Sequence, residues 1–340
     1  MKEPLVSVII STYNEEKYII DSINSILNQN YKNIEVIVVD DASTDNTVNL
    51  IKNLKNDKIK LYINDVNKKL AYNLNFAILK SNGKYIARMD ADDISRKNRI
   101  KIQVNYLESH KETDIIASFA KTFGDSNIIK KSLCSYDEVR ATLLFTNPIC
   151  HPTVMFRKSS IDFTYDERCV AGQDYELWSR IIDRKKIEIL NEVLLDYRVV
   201  KRQRNPKYLQ IQKENGLKAR KYLFDKLFEF SYDKDKYWEI FKLLIDIDFA
   251  DFKPKNQKQM ENLIKFSNCL LEKNREKKVF EERALKKALE KIIFWQWYLS
   301  ISKTDISSDI FFKSKYISAL KRQNILIKLK VLYKILKSKL

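Results

Sequence analysis

An α/β fold, with a mainly parallel sheet flanked by helices and an α-helical region after it, is predicted for this 340-residue chain by three observations. Short β-rich runs alternate with helical periodicity through roughly the first 120 residues. Polar and acidic clusters stand directly after the strand-like runs. Beyond residue 205 the strand signals stop and lysine-rich helical patterning takes over. Strand–helix alternation means parallel strands joined by crossover helices, and such sheets bind ligands at the carboxyl ends of their strands.

Val6-Ser7-Val8-Ile9-Ile10 reads as the first strand and ends in Ser11-Thr12-Tyr13-Asn14-Glu15. A helix with Asn14 as cap and Ile19, Ile23, Ile26 and Leu27 on its apolar face follows. Ile34 to Val39 is a second strand, closed by Asp40-Asp41. Ser43-Thr44-Asp45 then opens a helix with Val48, Ile51 and Leu54 facing inward. Ile59 to Ile63 is a third strand, and Leu70, Leu74 and Ile78 mark a third helix ended by Gly83. Tyr85 to Met89 is a compact apolar strand leading into Asp90-Ala91-Asp92-Asp93. Ile100, Val104 and Leu107 define the next helix, and Asp114 to Phe119 the next strand.

Three carboxylates within Asp90–Asp93 repel one another, so their proximity calls for a positive partner. An oxygen-only donor set suits a hard divalent ion, Mg²⁺ or Mn²⁺, of the kind that also holds substrate phosphates. A solvated acidic turn with Asp93 or Ser95 capping a helix is the plain alternative. The alignment of Thr12–Glu15, Asp40–Asp41 and Asp90–Asp93 on one sheet edge favours the ligand site. The four glycines, Gly83, Gly124, Gly172 and Gly216, are too far apart for a G-x-G-x-x-G or Walker A loop. Diphosphate charge then falls to a metal.

The formal net charge of +18 is unevenly placed. Residues 1–200 carry 29 Lys/Arg against 28 Asp/Glu, and residues 201–340 carry 34 against 17. Two parts with separate jobs are expected: a catalytic domain over 1–205 and a basic helical region over 206–340. Cys134, Cys150, Cys169 and Cys269 form no C-x-x-C pair, which points to free thiols in a reducing compartment. With only His110 and His151, a multi-histidine metal site is excluded. The N-terminus resembles no signal peptide and no run reaches the roughly 18 apolar residues of a spanning helix. The expected location is the cytoplasm, peripheral at the inner face of the cell membrane.

Together these residues resemble the inverting glycosyltransferases of family 2, with the GT-A fold, in the branch serving bacterial surface polysaccharides. The resemblance rests on Val6 to Glu15, Val38 to Asp45, Tyr85 to Asp93, Asn147-Pro148, His151 to Arg157, Gly172-Gln173-Asp174-Tyr175-Glu176-Leu177-Trp178 and Tyr197-Arg198. It covers about residues 4–200. It implies a nucleotide-sugar donor, UDP-linked by expectation, and a glycan or lipid-linked acceptor. By this resemblance Thr12, Tyr13, Asn14 and Glu15 line the nucleotide pocket and Asp41 bonds the base. Asp90 lies by the ribose and Asp92 ligates the metal bridging both phosphates. Asp174, in the first turn of a helix carrying Leu177, Trp178, Ile181 and Ile182, takes the role of general base. His151, Gln173, Trp178, Arg198 and Lys69 are candidate acceptor or diphosphate contacts; the plain readings are a structural histidine for His151 and core packing for Trp178.

Several positions depart from the family pattern. Ala42 and the pair Lys68-Lys69 stand where glycine-containing sequence is frequent, and Val200 occupies the place of a histidine that often assists the leaving group. Lys201 or Arg202 could meet that charge instead. The tail reads as amphipathic helices near 207–230, 234–252, 256–300 and 310–340. Residues 321–340 hold seven Lys/Arg and no acid, which suits an anionic membrane interface. A sugar-phosphate nucleotidyltransferase is a rival reading, but it calls for a glycine-rich loop absent from residues 5–20. A non-enzymatic membrane or nucleic-acid adaptor is another. No nucleic-acid partner is expected, because the acidic clusters would repel phosphate unless a metal intervened.

Overall fold

In the computed structural model, residues 3–200, 206–229, 231–245, 256–300 and 331 are described. They fall into two units, one of Met1–Val139 with Asn147–Ala219, the other of Arg140–Thr146 with the chain from Arg220 onward.

The first unit is built on β1 (Val6–Thr12), α1 (Ile19–Leu27), β2 (Ile34–Asp40), α2 (Thr47–Asn53), β3 (Ile59–Ile63), α3 (Lys69–Lys80) and β4 (Tyr85–Asp90). β3, β2, β1 and β4 lie side by side and parallel, as the crossover helices require. β2 is buried at every residue, the pattern of a strand covered on both faces. Ile19, Ile23 and Ile26 of α1 are fully buried and pack with Val8, Ile10, Val36 and Val38. Asn14 does not cap α1: the helix starts at Ile19 without a side-chain cap. Asn14 instead adopts φ +54° and accepts a hydrogen bond from the Thr44 amide.

Beyond β4 come β5 (Ile94–Ser95), α4 (Arg99–Ser109), β6 (Ile115–Gly124), β7 (Ile129–Lys130), α5 (Tyr136–Leu143), β8 (Met155–Arg157), α6 (Gln173–Ile181) and β9 (Ile187–Val199). β8 inserts antiparallel between β4 and β6, so the sheet is mixed in its second half. β6 and β9 pair in parallel down to Gly124 and Val199, with register shifts around Phe119. β6 therefore runs five residues beyond the expected Phe119.

The chain continues in α7 (Pro206–Phe228), α8 (Lys234–Ile245), α9 (Gln257–Lys277) and α10 (Glu282–Ser300). The expected single helix over 256–300 is two, because Lys278 takes a left-handed conformation at the end of α9. The second unit has an aromatic core in which Phe224 stacks on Phe228 and meets Trp238 and Phe241. Arg220 is buried there and donates to the Phe145 carbonyl. The proposed membrane helix over 325–340 lies outside the described residues apart from Val331. Among the described residues no helix is long and apolar enough to cross a membrane.

Candidate active site

Strand register brings the polar clusters together. Thr12 pairs with Asp40 and Ser11 with Asp90, so the ends of β1, β2 and β4 form one edge. On it Thr12 is buried, with a hydroxyl that has no partner, and Tyr13 is exposed. The Asn14 and Glu15 amides donate to Ser43 and Thr47 at 2.9 Å each, which ties the β1 loop to the loop after β2.

Asp41 is buried and already busy. One oxygen accepts from Asn64 Nδ2 at 3.0 Å and from the Lys68 amide at 2.7 Å, and the other from the Lys69 amide at 3.0 Å. A carboxylate has about four acceptor positions, so capacity remains for a ligand N–H. Asn64 also donates to Asn73, and Asn73 to Ser11. Sequence reading missed this amide relay because single asparagines carry no spacing signature.

The glycine-to-other departures acquire a geometric meaning here. Ala42 has φ +63° and Lys69 φ +70°, both in the left-handed region that costs an L-residue about 1–2 kcal/mol. Both flank the Asp41 carboxylate, one in sequence and one through its amide. Ala42→Gly relieves this strain but adds about 0.5–1 kcal/mol of unfolded-state entropy. The expected net is a stabilisation of about 0.5–1 kcal/mol, read as a higher denaturant midpoint at unchanged slope.

The acidic loop after β4 is clamped from β9. Arg198 donates its amide to Asp93 at 2.8 Å and its Nε to the Asp92 carbonyl at 2.8 Å. Its guanidinium lies between the rings of Tyr18 and Phe123, 4.1 and 4.4 Å from their centroids. Arg198 thus holds the loop in place with the atoms seen here. Asp93 is fully buried with one oxygen unpartnered. Burial first, and then the neighbouring Asp90 charge, push its carboxyl up to about 8. Asp92 is half-buried.

A second component went unread in the sequence. Arg88 on β4 is 2 % exposed and forms an ion pair with Asp90, while its Nε and Nη1 have no partner. A buried guanidinium with two open N–H groups is costly unless something polar meets it. Within the strand run it looked like one charge in an apolar stretch, and only the tertiary fold shows what it faces.

Arg88 and Asp90 line a cavity of about 280 Å³ together with His151, Gln173, Asp174 and Tyr197. Gly172, at φ +71°, turns the chain into α6 and presents Gln173 and Asp174 to that space. Asn147 donates to Asp174 at 2.8 Å. Burial raises the Asp174 carboxyl above its ordinary range, against the amide at Tyr175, the Arg88 charge and the Asn147 bond. His151 is buried and bonds the Tyr165 hydroxyl at 2.8 Å. Burial, then Arg88, hold its basicity well below the usual histidine range, so it is neutral at pH 7. Trp178 is fully buried and packs edge-on to His151, a core support with no surface for a ligand. Asp92, Arg198 and Lys69 do not line this cavity; Lys69 is exposed. A larger cleft of about 830 Å³ beside α3 contains neither Asp90 nor Asp174.

Comparison with known proteins decides the family. The model described as glycosyl transferase family 2 matches residues 7–163. An uncharacterized glycosyltransferase of Haemophilus influenzae is 35% identical over 238 residues, covering 64% of this chain and 72% of that protein. The chain belongs to glycosyl transferase family 2. Two Escherichia coli proteins are also similar to this glycosyltransferase. The UDP-Glc:alpha-D-GlcNAc-diphosphoundecaprenol beta-1,3-glucosyltransferase WfaP is 33% identical, over 57% of this chain and 77% of its own. The O-antigen biosynthesis glycosyltransferase WbnJ is 30% identical, over 57% and 80%. Among solved structures, Staphylococcus aureus TarS 1–349 in complex with UDP-GlcNAc superposes with a TM-score of 0.57 at 17% identity, over 87% of this chain and 90% of that one. A longer TarS chain is matched over 52% of its length. The glycosyltransferase therefore has the GT-A fold expected from its sequence, with helices α7 to α10 following it.

Proposed function

We propose that this glycosyltransferase moves a sugar from a nucleoside-diphosphate sugar, UDP-linked, to a glycan or lipid-linked acceptor in cell-surface polysaccharide synthesis, with inversion at the anomeric carbon. The observation that carries this reading is that Asp90, Asp174 and the buried Arg88 line one cavity, with Arg88 ion-paired to Asp90. WfaP and WbnJ, by their names, support the donor, acceptor and pathway class.

Asp41, with Thr12 to Glu15 around it, takes the nucleotide, and Asp90 the ribose. Asp174 accepts the proton of the acceptor hydroxyl as its oxygen bonds to the anomeric carbon. The bond from that carbon to the diphosphate breaks, and its electron pair leaves with the nucleoside diphosphate. Neutral His151 and Gln173 contact the acceptor.

Among the described residues no three His, Cys, Asp or Glu side chains converge into a ready cation cage. The chemistry nonetheless fits Mg²⁺ or Mn²⁺ shared with substrate: half-buried Asp92 would hold it through a hard carboxylate oxygen, together with the substrate phosphates. Such an ion supplies charge neutralisation on the departing diphosphate.

A thermal-shift panel of nucleotides and nucleotide sugars tests the reading. Stabilisation by UDP or a UDP-sugar that needs Mn²⁺, and that Asp92→Asn removes, is the expected outcome. A shift by no nucleoside diphosphate at millimolar concentration, with or without Mn²⁺, would refute it.

A further inference from the structure

The β6–β7 hairpin carries an exposed segment that the catalytic reading does not use. Residues 127–131, Asn-Ile-Ile-Lys-Lys, are exposed throughout. Ile128 is 60 % and Ile129 47 % exposed, unusual for two consecutive isoleucines in a folded domain. The tip is not loosely attached. The Ile128 amide donates to Thr122 Oγ1 at 2.7 Å, and its carbonyl accepts from the Thr122 amide at 2.8 Å. The Asp125 amide donates to the Val199 carbonyl at 2.9 Å, and Val200 beside it is also exposed. β7 pairs only with β6 among the described strands.

This hairpin borders the active site. Lys130 lines the catalytic cavity, with its ammonium 3.7 Å from the centroid of the Tyr197 ring. Phe123, on the same hairpin, stacks on the Arg198 guanidinium that clamps the acidic loop. An apolar pair next to Lys130 and Lys131, with Lys121 on the facing strand, combines the two features that a bilayer interface rewards. Apolar side chains enter the acyl boundary while ammonium groups stay with lipid phosphates. We propose that the β6–β7 tip docks on an anionic lipid surface, Ile128 and Ile129 inserting and Lys131 pairing with phosphates, so that the catalytic cavity opens at the membrane plane. The link to catalysis rests on the proposed lipid-linked acceptor; the docking itself does not.

The test is co-sedimentation of the full chain with vesicles of phosphatidylglycerol and phosphatidylcholine, and with phosphatidylcholine alone. The expected result is partitioning onto the anionic vesicles that falls about tenfold or more in the double variant Ile128→Ser, Ile129→Ser, with the Mn²⁺-dependent UDP thermal shift unchanged. A second variant, Ile128→Trp, should gain fluorescence quenching by brominated acyl chains beyond that of the native tryptophans. Unchanged partitioning of the serine variant, or no added quenching at position 128, overturns the proposal and leaves the C-terminal region as the anchor. A serine variant that changes the sedimentation coefficient instead of vesicle binding also overturns it, since the tip then joins two copies of the chain. Loss of the UDP shift in the native protein with vesicle binding intact would sink the donor reading and not this one.

Discussion

Asp174→Asn is expected to lower kcat/KM by about 10²–10⁴-fold, the contribution of a positioned general base. The substitution keeps shape and leaves an oxygen to accept from Asn147, which now sits 2.8 Å from the carboxylate. Thermal stability and the UDP-induced shift should therefore stay near native values, which separates a lost proton acceptor from a collapsed site. The pH profile supplies an independent check. A base must be deprotonated to work, and burial raises the Asp174 carboxyl above the ordinary aspartate range. Activity should fall on the acid side as the pH drops through that elevated value, above the ~3.9 of a free aspartate. His151 stays neutral through this window, so His151→Asn should leave the acid limb in place. A native-like rate in Asp174→Asn would require a different base.

Arg88→Met should damage stability and site alike. Its guanidinium, 2 % exposed, is the ion-pair partner of Asp90. Asp90 is about a third exposed, so losing its partner leaves a partly solvated charge, at a cost of about 1–3 kcal/mol. For a domain of this size that is a melting point lower by about 2–12 °C. The same change removes a positive neighbour that favours ionised Asp174, so the acid limb of the residual activity should move to higher pH. A purely structural role for Arg88 predicts the lower melting point without the moved limb. Arg88→Lys keeps the charge but loses the planar fork; it should restore most of the pH profile and little of the rate.

Much of the catalytic unit was legible in the order of residues. The continuous apolar runs in β1, β2 and β4 and the i, i+4, i+7 isoleucines of α1 follow from backbone periodicity, which a local window captures. So did the placement of Thr12, Asp41 and Asp90, because a parallel sheet puts the ends of neighbouring strands on one edge. Less legible were short strands whose partners are distant in the chain. β8 is three residues long and is defined by pairing with β4 and β6, not by its own sequence. The break at Lys278 was equally hidden, since lysine is not a residue that announces a left-handed turn.

Residue order alone established the fold class, the acidic edge and the family, because hydrophobic periodicity and motif spacing are properties of neighbouring positions. The three-dimensional packing alone established that Arg88 faces Asp90 and the cavity of Asp174, that Trp178 is sealed in the core and that Arg198 grips the Asp92 loop. These depend on which buried groups meet across strands some 100 residues apart in the chain, as Asp93 and Arg198 are. Electrostatics and desolvation act through space, and only the folded chain sets those distances.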